Sequence, residues 1–156
     1  MKTLLASMVA GLFLSVPIIA APSLSPMFQI RAVLDTPSGD SEPMSIVSAE
    51  RKTEALNVQK TVLLDQTALK SAGVRTNDSG HSLIEITFND RGRKQFAQIT
   101  RERVGQRLAI IIDDRLYCAP VIRDEISGGK AEISGSFSKD EANTLAAKII
   151  EAIGKH

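Results

Sequence analysis

The run "RLAIII" at 107–112, followed at once by "DDRLYCAP" at 113–120, constrains this chain most strongly. From Leu108 to Ile112 there is no polar position, so a strand here is apolar on both of its faces. Only an interior strand with both faces covered tolerates that pattern, which excludes a sheet left open to water on one side at this point. Asp113-Asp114 then supplies a tight turn, because Asp tolerates turn geometry and favours water. "RLYCAPVI" (115–122) is expected to return as the antiparallel partner. Pro120 has no N–H to give a ladder, so that end of the strand belongs at an edge or a bulge.

Other segments carry the alternation of half-buried strands. "FQIRAVLD" (28–35), "SLIEITF" (82–88) and "KAEISGSF" (130–137) each repeat with a period of two. "MSIVSAER" and "LNVQKTVLL" read as extended, joined by the charged patch Glu50 to Glu54, and "TPSGDSEP" (36–43) reads as a loop. "DQTALKSAG" (65–73) reads as a short helix with Asp65 as N-cap and Gly73 as its stop, followed by a loop at 75–81. "NDRGRKQFAQITRERVG" (89–105) gives a helix capped by Asn89 and stopped at Gly105, with Phe96, Ile99, Thr100 and Arg103 on one face that is only partly apolar. Ser138 to Glu141 fits a capping box, and Ala142, Leu145, Ala146, Ile149, Ile150 and Ile153 then recur at helical spacing. The expected fold is α+β: a mainly antiparallel sheet with two longer helices and one short helix packed on it.

The first residues differ from the rest. Met1-Lys2 opens an uncharged run from Thr3 to Ala21, broken by Pro17 and ending in small residues. This is the pattern of a secretory signal, with cleavage expected after Ala20. An uncleaved anchor is the alternative, since the run is long enough to cross about 30 Å of hydrocarbon as a helix. Either way the domain is expected outside the cytoplasm, periplasmic or secreted. The expected organisation is a signal at 1–20, a linker at 21–27 and one domain at 28–154, with no membrane span in the mature chain. Lys2 is the only charge in the leader, so the remaining basic residues balance the 18 acidic ones. No basic field exists to gather nucleic acid or an anionic membrane. Aromatic residues are 4% of the chain, too few for a base-stacking platform.

The residues that could do chemistry are few. Cys118 is the only cysteine, so no internal disulfide forms and a core must hold the fold. As a nucleophile it needs a base, and the candidates are His81 in a loop and His156 at the end of the chain. A cysteine in an alternating apolar strand is more often a small buried hydrophobe. Asp113 and Asp114 read as a turn rather than paired carboxylates. Two distant histidines and one cysteine make no zinc site. "NDSG" (77–80) and "SGG" (127–129) lack the full glycine fingerprint of a phosphate cradle and read as turns. Arg91, Arg93, Lys94, Arg101, Arg103 and Arg107 form a basic cluster interleaved with Asp90 and Glu102, a solvated helix face that could also dock an acidic partner. No catalytic, cofactor-binding or metal residue is assigned.

Four blocks in order carry a resemblance: "LLDQTALKSAGV", "IEITFNDRGRKQFAQIT", "GQRLAIIIDDRLYCAPVI" and "ISGGKAEISGSFSKDEANTLAAKI". Together they resemble the head subdomain of the first periplasmic domain of SecD, and "FQIRAVLD" resembles the strand that opens that region. The resemblance implies a non-catalytic module that contacts polypeptide emerging from the Sec translocon, without a cofactor. A full SecD couples proton flow through membrane helices to export. This chain lacks that helix bundle and is too short for the base subdomain, so only the binding module is expected to carry over. The expected partner is a polypeptide or an envelope or translocon protein. The alternatives are a structural accessory domain of an envelope complex and a small thiol hydrolase using Cys118 and His81.

Overall fold

A computed structural model describes residues 25–47, 53–135 and 137–155. The leader, the patch at 48–52, Ser136 and His156 lie outside them. The elements run β1 (Phe28–Leu34), β2 (Ser41–Val47), β3 (Thr53–Asp65), β4 (Leu69–Thr76), β5 (Ser82–Phe88), α1 (Asp90–Glu102), β6 (Leu108–Ile112), β7 (Arg115–Cys118), β8 (Lys130–Ser134) and α2 (Lys139–Ile153). The α+β class stands, and all the strand pairings are antiparallel. The strands divide between two sheets rather than one: β2-β3-β1-β6-β7 and β4-β5-β8.

The aliphatic run is an interior strand. β6 lies between β1 and β7, and all five of its residues are buried. Leu108, Ile110 and Ile112 join the main core, with Phe28, Ile30, Ile84, Ile86, Ile133 and the inner face of α2. Ala109 and Ile111 point the other way, into a second cluster with Leu56, Val58, Leu116 and Ala119. The large sheet encloses that second cluster by bringing β2 close to β7. Each fully buried isoleucine contributes about 1.5–3 kcal/mol relative to exposure, so both faces hold the strand.

The turn after β6 is as expected. Asp113 and Asp114 have φ of 52° and 58°, the paired left-handed geometry of a tight hairpin. Asp113 also pairs with Lys148 of α2 at 2.6 Å. Both longer helices start at their expected caps. Asn89 Oδ1 accepts from the Gly92 N–H at 2.8 Å, and Ser138 Oγ accepts from the Glu141 N–H at 3.2 Å. The Glu141 carboxylate lies 3.6 Å from Arg115. The stripe of α2 is narrower than the sequence implied: Ile149 is fully buried, but Ile150 is 50% exposed.

Five segments depart from expectation. α1 ends at Glu102, before the expected stop at Gly105. The helix expected at 65–73 shrinks to one 3₁₀ turn, Gln66–Ala68, capped by Asp65. Leu69 to Thr76 instead pairs with β5, and Gly73 stands opposite Glu85 as a strand residue rather than a helix stop. The ladder bonds and the apolar cover of α2 outweigh a weak local helix preference there. The loop expected at 36–43 ends earlier, because β2 begins at Ser41. β7 ends at Cys118 rather than reaching 122; beyond it a single bridge joins Val121 to Arg107. β8 likewise ends at Ser134.

Candidate functional site

The thiol comes first, since it raised the sequence-level case for chemistry. Cys118 is half-buried at the end of β7, against the main core. Burial pushes its thiol up to about 12, although a hydrogen bond with the Ser134 backbone acts the other way. A nucleophilic cysteine needs the opposite shift. His81 is exposed in the turn between β4 and β5, where its N–H donates to Asn77 Oδ1 at 2.8 Å. Among the described residues no hydrogen bond joins Cys118 to His81, and His156 lies outside them. "NDSG" is that same turn, closed by the Gly80 N–H on the Asn77 carbonyl at 2.9 Å. "SGG" leads into β8, and the Gly129 carbonyl accepts from the Phe88 N–H at 2.9 Å.

The basic cluster is partly consumed by structure. Arg107 makes a bidentate pair with Glu54, at 2.6 and 3.2 Å, and its Nε donates to the Ala119 carbonyl at 2.8 Å. Arg101 lies 3.9 Å from Glu125. Arg91, Arg93 and Lys94 stay exposed on α1, as a solvated face would.

A groove beside the end of β7 is a feature that the sequence did not single out. Where β7 ends, Ala119-Pro120 carries the chain away from β8, and a groove of about 620 Å³ opens. Ile30, Leu108, Ile110 and Phe96 line its apolar interior. One side is the segment from Pro120 to Asp124 with Ile126, and the other is Lys130 to Glu132 of β8 with Glu85. Val121, on that rim, is 49% exposed.

The first side is held firmly. The Pro120 carbonyl accepts from the Leu108 N–H at 3.1 Å, and the Ile122 N–H donates to the Gln106 carbonyl at 2.8 Å. Thr100 explains its own place on the α1 face: its buried hydroxyl donates to the Phe96 carbonyl and accepts from the Ile126 N–H at 2.9 Å. The second side carries a balanced charge network. Glu85 lies 2.9 Å from Arg75 and 3.2 Å from Lys130, and Arg75 is also 4.0 Å from Glu132. Arg75, and after it Lys130, hold the Glu85 carboxyl below its ordinary range. A firm apolar cleft with a few polar groups at its rim has the general character of a binding site. Its only direct sequence signal is a proline ending a strand before the apolar pair Val121-Ile122.

The arrangement defines a two-sheet α+β module with a cleft between the sheets. The sequence model of the SecDF P1 head subdomain matches residues 44–152, so the chain belongs to that family. The protein translocase subunit SecD of Leptotrichia buccalis is 47% identical over 85 residues, covering 54% of this chain and 21% of the relative. That of Calditerrivibrio nitroreducens is 38% identical over 120 residues, 70% of this chain and 23% of the relative. This chain thus spans about a fifth of the length of these relatives. Among solved structures, SecDF in its super-membrane-facing form superposes with a TM-score of 0.64 at 26% identity, covering 81% of this chain and 19% of that one. A second, described as a membrane component SecDF that enhances protein export, gives 0.60 at 27% identity, covering 82% and 61%. Among the described residues no helix is long and apolar enough to cross a membrane.

Proposed function

We propose that this chain acts in protein export outside the cytoplasm as a non-catalytic head module that holds polypeptide in the groove beside Pro120. The groove itself carries the reading: a fixed apolar cleft, flanked by balanced charge, on a fold shared with SecDF. The raised thiol of Cys118 supports a structural part for that residue. Work on a passing chain calls for contact without sequence readout, and an apolar interior with mixed charge at the rim supplies that.

Photo-crosslinking tests the proposal. A photoreactive residue at Val121 is expected to capture polypeptide undergoing export, well above the same group at Ile150, which is equally exposed on α2. Equal yields at the two positions contradict the proposal.

A further inference from the structure

The groove exposes more than apolar side chains, because one of its sides is the edge of a sheet. Among the described strands β8 pairs only with β5, in a register without shifts: Ile84↔Ile133, Ile86↔Ala131 and Thr87↔Lys130. In an antiparallel ladder alternate residues turn their N–H and C=O toward the partner strand. The Gly129 carbonyl bonds to Phe88 of β5, so Ala131 and Ile133 also face β5. Lys130, Glu132 and Ser134 therefore turn their backbone groups outward. The hydrogen bond of the Ser134 backbone with the Cys118 thiol of β7 agrees with this direction, since β5 takes the other side of β8. Among the described residues, Lys130 and Glu132 have no backbone partner on that side.

Resting on the polypeptide reading above, we propose that the ligand binds as an added strand: an extended segment that pairs with the backbone of Lys130 and Glu132. Unpaired N–H and C=O groups repeating every second residue, about 6.8 Å along a strand, match another extended backbone. A bound helix satisfies its own backbone groups and leaves this edge unmet. An added strand turns every second side chain toward Ile30, Leu108 and Ile110, and the others toward the opposite face. Arg75 and Lys130 balance Glu85 and Glu132 on that face, and Arg123 stands beside Asp124 across the cleft. This balance selects a segment of alternating apolar and uncharged polar residues rather than an acidic or basic one.

The test uses a fluorescent peptide of alternating valine and threonine, titrated against the protein by anisotropy. Two derivatives carry N-methyl groups on all the valines or on all the threonines. In an added strand only one of these sets points its N–H groups at β8. Methylating that set is expected to weaken binding about tenfold or more, from the loss of two hydrogen bonds. Methylating the other set is expected to change it less than about twofold, since those groups face water. Equal effects of the two sets overturn the strand inference and leave the groove reading intact. Failure of the unmodified peptide to bind overturns both.

Discussion

The seam between β7 and β8 is shut at one end and open at the other. At the shut end Cys118 meets the Ser134 backbone, and Tyr117 packs on Phe137 with ring centroids 5.8 Å apart. Arg115 lies over Tyr117, 5.3 Å from its centroid, and Ile133 is fully buried. At the open end, four residues or fewer along β8, Lys130 and Glu132 are exposed and Val121 stands half out of the cleft. The same strand is thus core at one end and available edge at the other. β7 itself pairs with β6 rather than β8, and past Cys118 the chain stays on that side. The Pro120 carbonyl accepts from the Leu108 N–H, and the Ile122 and Ile126 N–H groups donate to the Gln106 carbonyl and the Thr100 hydroxyl. Proteins usually blunt exposed edges, and here the open stretch is short and flanked by charge.

The contrast makes the backbone direction of β8 the most informative place to strike. Ala131→Pro removes an N–H that faces β5 and is expected to cost about 1–3 kcal/mol by chemical denaturation. Glu132→Pro, one residue on, removes an outward N–H and is expected to cost less than about 1 kcal/mol. Equal losses would mean that the two edges of β8 are not distinct. At the shut end, Cys118 predicts a pH effect of definite sign. The folded thiol titrates near 12, above its ordinary value of 9.0, so the unfolded chain loses that proton first as pH rises. Its contribution is therefore complete below pH 9 and is lost on going upward, by at most about 1.4 kcal/mol per pH unit. Cys118→Ala is expected to flatten that alkaline slope; an unchanged slope would place the thiol in water. The smallest change in stability is expected at Val121, exposed on the open rim. Val121→Asp should stay within about 0.5 kcal/mol of the parent while weakening peptide binding.

What the sequence revealed follows the reach of each interaction. β1, β5 and β6 stand where their apolar periods put them, and Asn89, Ser138 and the paired aspartates perform their local tasks within a few residues of themselves. Local signals failed where a distant partner decided. Asp65 does cap a turn, but pairing with β5 draws Leu69 to Thr76 into a strand after only one 3₁₀ turn. The split into two sheets depends on which strands meet, and period-two patterns do not specify that. The groove was hidden for the same reason. It forms where β7 leaves β8, between segments about ten residues apart, and its firm side depends on Thr100, which in the sequence only weakens an apolar helix face. Pro120 was visible as an end of pairing, but what its departure uncovers was not.

Amide hydrogen exchange along β8, with and without the valine–threonine peptide, tests the central claim most directly. In the free protein Ala131 and Ile133 are expected to exchange slowly and Lys130 and Glu132 quickly, because only the first pair bonds to β5. With peptide bound, Lys130 and Glu132 are expected to become slow as well. Protection of all four amides in the free protein, or fast exchange at Lys130 and Glu132 under saturating peptide, would contradict the claim that this edge receives a strand.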